Sequence, residues 1–264
     1  MRRRPGGLWR HPDFLKLWVG ETVSLLGSQV TLLALPLTAV LTLHANAAQM
    51  GYLTAIQLAP SLLAGLFAGV WIDRVRRRPI MIAADLGRFA LLLGIPLLAV
   101  AGRLGMAGLY PIAFLVGILT VCFDVAYQAF LPSLVGREQL VEGNARLEVS
   151  RSGALIAGPG LAGLLVGLVT APFAIAADAA SFLGSALFLL GIRTPEPVPV
   201  DHGTSRGTRR EIAEGLGIVL GNPLLRAIAG STGTSNLFSS AISAIVILYA
   251  TRNLGIGPGL LGLI

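Results

Sequence analysis

Seven long apolar runs, separated by short polar or arginine-rich breaks, dictate most of what this chain can become. They cover about Leu17 to Leu43, Tyr52 to Ile72, Ile80 to Ala101, Leu109 to Leu131, Gly153 to Val169, Phe173 to Ile192 and Leu224 to Tyr249, and Leu260 to Ile264 opens an eighth. A helix needs ~20 apolar residues to cross ~30 Å of hydrocarbon, so each run reads as a transmembrane span. Charged residues make up 12% of the 264, against about 25% in soluble domains. The expectation is an all-α integral membrane protein.

The breaks set the topology. Asp73, Arg74, Arg76, Arg77 and Arg78 sit within six residues between the second and third runs. Each such charge costs at least ~3 kcal/mol at the bilayer centre, so this loop lies in water. The amino terminus, this loop, Gly136 to Arg151 and Arg193 to Arg210 hold most of the 20 basic residues and fall on one side, whereas the other side has clear basic residues only at Arg103 and Arg252. By the positive-inside rule the basic side and the amino terminus are cytoplasmic. The run after Met1 to Arg10 is too long for a signal-peptide core, so it is expected to be a retained span.

The net charge of +7 comes almost wholly from arginine, since Lys16 is the only lysine. No basic stretch carries interleaved aromatics for base stacking, so no nucleic-acid partner is expected. Cys122 is the one cysteine, read as a packed hydrophobe, and His11, His44 and His202 are scattered. A disulfide framework, a metal site and a cofactor are therefore not expected.

Short turns at His44 to Gly51, Gly102 to Gly108 and Thr170 to Pro172 force neighbouring spans to pack antiparallel. Arg193 to Asn222 begins rich in Pro, Gly and charge, then becomes amphipathic from Arg209 to Leu220 with Ile212, Leu216 and Val219 on one face. This reads as a flexible linker entering a helix on the membrane surface. The expected division is a six-helix half over 1–192, a linker over 193–222 and the start of a second half over 223–264.

Glu21, Asp85, Arg88, Asp124 and Asp178 fall inside predicted spans, where an ionisable residue marks a candidate functional site. Asp85 and Arg88, three apart, share a helix face near the arginine loop, as a local ion pair or a gating element. Glu21 lies about one turn into its span, placed for anchoring or for proton or substrate binding. Asp124 sits deeper, in the setting a proton-coupling group requires, or else pairs with an unseen arginine or lines a cavity. Asp178 is expected near the outer end of its span with access to water. Gly65 and Gly69 form a GxxxG, and Gly153, Gly158, Gly160, Gly163 and Gly167 crowd the fifth span, allowing close helix approach. Pro159 there removes a backbone donor and invites a kink.

The run Gly69-x-x-x-Asp73-Arg74-x-x-Arg77-Arg78 resembles motif A of the major facilitator superfamily, GxLaDrxGrk, with Trp71 for its Leu and Arg76 for its second Gly. Ala154-x-x-x-Gly158-Pro159-x-x-Ala162-Gly163 is similar to motif C, the antiporter motif, with alanine at two glycine positions. Phe14-x-x-Leu17-Trp18-x-Gly20, Leu26-Gly27-Ser28 and Leu131-Pro132-Ser133-Leu134-Val135 to Asn144-Ala145 look like the drug and siderophore exporter branch that includes the enterobactin exporter. The resemblance covers essentially the whole chain.

It implies the superfamily fold, a twelve-span protein of two six-helix halves with a central substrate site and transport by rocking. The 264 residues would then hold the first half, the linker and the start of the second, as a truncated gene model or fragment. The resemblance further implies proton-driven export of hydrophobic drugs, macrolides or siderophores by a monomer in the bacterial cytoplasmic membrane. Asp73 would latch the outward-facing state. Arg74, Arg77 and Arg78 would contact Asp85 or anionic headgroups, and Asp85 with Arg88 would complete a charge relay. Ala154, Gly158, Pro159, Ala162 and Gly163 would form a packing hinge, and Glu21 and Asp124 stand as coupling candidates.

An uptake permease of the same fold is the nearest alternative, which motif C argues against. A non-transporting fragment or scaffold is another. No paired His and carboxylate motif or nucleophile setting appears in the spans, and no Gly-x-x-x-x-Gly-Lys-Ser/Thr, so no enzyme and no ATP hydrolysis are expected.

Overall fold

Where the apolar runs were read as spans, the computed structural model forms helices; it describes residues 7–72, 75–196 and 217–262. These are α1 (Pro12–Leu37), α2 (Ala47–Ile72), α3 (Arg77–Val100), α4 (Met106–Val135), α5 (Leu140–Val169), α6 (Ala171–Leu190), α7 (Pro223–Arg252) and the short α8 (Pro258–Leu261). No strand occurs among the described residues, and six helical stretches there are long and apolar enough to cross a membrane. The all-α membrane architecture expected from the sequence is what the chain adopts.

Local chemistry places the helix ends. His11 caps α1 by accepting from Phe14 N–H at 3.1 Å, with Pro12 in the first turn where its missing donor costs nothing. Near the other end Pro36 withdraws an N–H from the ladder, and the helix passes into a π turn over Thr38–Thr42. Asn46 and Gln49 exchange backbone-to-side-chain bonds at 2.9 Å each, a reciprocal cap that starts α2. Asn222 accepts from Leu224 and Leu225 N–H at the start of α7, again ahead of a proline.

Two boundaries differ from expectation. The fifth helix begins at Leu140 and not at Gly153, so most of the stretch read as a cytoplasmic loop is helix. Its charges are arranged to permit this, since Glu142 and Arg146 pair at i,i+4 along the exposed extension. The turn expected over Thr170 to Pro172 is a single residue, Thr170, in the left-handed region at φ 76°. Pro159 lies inside α5, which continues through it to Val169.

The helices pack in a definite order: α1 lies against α5 and α6, α3 against α6 and α4, and α2 against α4. Lipid gives helices no hydrophobic reason to associate, so close backbone approach must supply the cohesion. On α1 the residues Gly20, Ser24 and Gly27 repeat at helical spacing, and they meet Asp178, Ser181 and Ser185 of α6. A Cβ at Gly27 would collide with Ser181 and Asp178, and one at Gly20 would press on Ser185 and Phe188. The Thr22 and Ser150 hydroxyls pair at 2.9 Å between α1 and α5.

Two apolar cores result. One, around Leu35, Leu37, Leu92, Ile95 and Phe182, fills the end away from the arginine loop. The other, around Phe14, Leu17, Met81, Phe130, Leu134 and Leu189, fills the arginine-rich end.

Candidate functional site

At the level where the two cores meet, the bundle carries charge. Arg88 of α3 lies between the rings of Phe123 (α4) and Phe182 (α6), with its guanidinium carbon 4.5 and 4.0 Å from their centroids. Its Nη2 donates to Asp85 Oδ1 at 2.5 Å, one helical turn back, and Nη1 reaches Thr120 Oγ1 at 3.5 Å. Asp85 is fully buried and Arg88 is 3% exposed. The two aromatic faces attract the cation and hold its plane, while the carboxylate neutralises it. Ser185 of α6 lies beside Asp85, which ties the pair to a third helix.

The field of Arg88 reaches three further carboxylates: Glu21 on α1, Asp124 on α4 and Asp178 on α6. Glu21 has a buried Oε2 with no hydrogen-bond donor among the described residues. Asp124 is exposed on α4, within the fields of both Arg88 and the exposed Arg151 of α5. Tyr127, one turn along α4, lies within the fields of Glu21 and Asp124. Carboxylates from four helices thus share the field of one buried guanidinium, and Asp85 is the one in contact with it.

Asp178 departs from expectation. It is 1% exposed, accepts from Ser181 Oγ at 3.0 Å and has Thr31 of α1 beside it. Because α6 starts at Ala171, Asp178 is two turns inside and faces α1 at Gly27, buried and not at a solvated helix end.

The arginine loop divides at the edge of the described residues. Asp73 and Arg74 lie outside them, and of Gly65 and Gly69 only the helical backbone of α2 is described. Of the two contacts that the resemblance implied for Arg77 and Arg78, Asp85 or anionic headgroups, the first is not made. Their backbone N–H groups instead donate to Glu196 at 2.6 and 3.2 Å, so a carboxylate from the segment after α6 caps α3. The Arg78 side chain donates to Leu189 and Leu190 carbonyls at 2.9 and 2.7 Å, closing the carboxyl end of α6. Asp85 lies two turns deeper, out of reach.

A second clasp was not anticipated. Asp13 accepts from Arg193 N, Thr194 N and Thr194 Oγ1 at 3.1, 2.8 and 2.7 Å, and Lys16 bridges Asp13 to the Gly191 carbonyl. The first four residues of the expected flexible linker are therefore tied down at both α1 and α3. Residues 197–216, with most of the expected amphipathic helix, lie outside the described residues, and 217–221 are helical. An acid beside a proline at a helix start was the visible sign of Asp13; its partner 180 residues away had none. Trp9 also docks, over Arg146 at 4.2 Å and edge-on to Trp18.

Along α5, Ala154 and Ala162 are buried and Gly158 sits tight against Gln29 of α1. Gly163 and the Pro159 carbonyl meet the backbone of Pro258, Gly259 and Gly262, so the glycines admit α8 at a distance no side chain would permit. Among the described residues no group of His, Cys, Asp and Glu is placed to hold a metal ion, and Cys122 is half-buried and free.

The chain is 26% identical over 257 residues to an uncharacterized MFS-type transporter of Sinorhizobium fredii, covering 94% of this chain and 60% of that protein. It is 29% identical over 231 residues to the multidrug efflux pump Tap of Mycolicibacterium fortuitum, covering 83% of this chain and 55% of the pump. The chain therefore spans less than two thirds of the length of these curated relatives. The family model of the Major Facilitator Superfamily matches residues 17–264. Because that match runs through nearly all of the chain, the chain belongs to the Major Facilitator Superfamily.

Proposed function

We propose that the complete protein is a proton-coupled antiporter that exports small hydrophobic compounds across the cytoplasmic membrane, with its amino terminus inside. The observation that carries the coupling is the surplus of carboxylates around Arg88. One guanidinium balances one carboxylate, so a proton arriving at or leaving the others changes the field across four helices. Asp124 is the member open to the outside of this bundle, where substrate and proton compete for access. Glu21 is the inner member. The α1–α6 and α5–α8 contacts, built on glycine and serine, are seams along which helices can shift in alternating access.

Export is favoured over uptake by motif C on α5 and by the efflux activity named for the Mycolicibacterium relative. The test is dye efflux in everted vesicles holding the complete protein, with and without a pH gradient. Asp124→Asn is expected to remove the dependence on the gradient while insertion is unchanged. Retained dependence assigns the coupling to Glu21 or elsewhere; accumulation driven inward by the gradient in the wild type overturns export.

A further inference from the structure

A cavity of about 540 Å³ opens at the arginine-rich end, between the first turns of α3 and the segment that follows α6. Its walls divide by chemistry. At the rim stand Arg76, Arg78 and Arg193, and below them Pro79, Ile82, Ala83 and Leu86 descend along one side of α3. Pro195 closes the opposite wall. Ala83 and Leu86 are exposed, so the apolar part opens sideways toward the lipid and not into the bundle. Three arginines and one carboxylate line it, and that carboxylate, Glu196, is committed to the N–H groups of Arg77 and Arg78. Among the described residues neither Arg76 nor Arg193 has an acid within ion-pair distance, and Arg78 uses only Nε and Nη2.

We infer that this cavity binds one anionic phospholipid, its phosphate held by Arg76, Arg78 and Arg193 and an acyl chain lying along Ile82, Ala83 and Leu86. The shape requires an amphiphile. A free phosphate satisfies the rim and leaves the apolar wall bare, and a neutral lipid leaves the arginines without a counter-charge. Arg76 and Arg193 suit the task because a planar guanidinium fork takes two phosphate oxygens at once, while Arg78 has Nη1 left to offer. The ligand would also join the segment after α6 to the start of α3, bracing the contact that Glu196 already makes. This inference needs no assumption about transport, so it stands or falls apart from the proposed antiport.

The test is native mass spectrometry of the purified protein in detergent, titrated with phosphatidylglycerol or phosphatidylcholine of equal chain length. One tightly retained phosphatidylglycerol is expected, with no matching phosphatidylcholine. The double variant Arg76→Gln/Arg193→Gln should weaken retention ~30-fold, from two lost arginine–headgroup attractions. Ala83→Trp leaves every charge in place and fills the apolar wall at an exposed position, and it should abolish retention as well. Equal retention of the two lipids overturns the proposal, as does phosphatidylglycerol retention unchanged in either variant. Displacement by millimolar inorganic phosphate also overturns it, in favour of a simple anion site.

Discussion

Arg78 and Arg88 are ten residues apart on one helix and do opposite work. Arg78 stands at the water-facing end, donating to carbonyls that would otherwise be satisfied by solvent. Arg88 is enclosed by two phenylalanine rings and a carboxylate where no solvent replaces them. The difference follows from depth. A hydrogen bond at the aqueous boundary exchanges with water and is worth little net, whereas a buried ion pair leaves an uncompensated charge when either partner is removed. Arginines that look alike in the sequence thus split into one that closes a helix end and one on which the interior electrostatics depend.

The comparison breaks most visibly at Arg88. Arg88→Leu strands Asp85 and its neighbouring carboxylates and is expected to cost ~3–5 kcal/mol, read as a loss of monodisperse protein or a large fall in thermal midpoint in detergent. Arg88→Lys keeps the charge but loses the planar stacking, and should fall between. If Arg88→Leu is as stable as wild type, the charge cluster is not a structural hub. A smaller loss is expected at the seam beneath it, where Gly27→Val drives α1 away from Ser181 and Asp178 at ~1–3 kcal/mol. Gly153→Ala, on the open side of α5, is the matched control and should have no such effect. The least is expected from Arg78→Gln, about 1 kcal/mol, because water can take over the Leu189 and Leu190 carbonyls. An Arg78 loss equal to that of Arg88 would erase the contrast drawn here.

The membrane class and the helical spans were legible in the sequence because bilayer thickness imposes a length on every run. The turns were nearly so, since Asn46, Gln49 and Asn222 announce helix starts by local chemistry. The Asp85–Arg88 pair was legible from its i,i+3 spacing. Its setting was not: Phe123 and Phe182 come from helices whose neighbours are fixed by packing and not by order along the chain. Asp178 was misread for the same reason, because polarity near a span end looks solvent-bound until α1 is laid over it at Gly27. The long α5 was misread because a charged amphipathic extension and a charged loop have the same composition.

We propose that coupling resides in the carboxylates around Arg88 and not in the acids that clasp the arginine-rich end. Substrate-induced proton release by the purified complete protein, followed with a pH indicator in weakly buffered detergent, addresses this directly. The account predicts release from the wild type and from Glu196→Gln, and none from Asp124→Asn combined with Glu21→Gln. Undiminished release from that double variant, or its loss in Glu196→Gln alone, would contradict it.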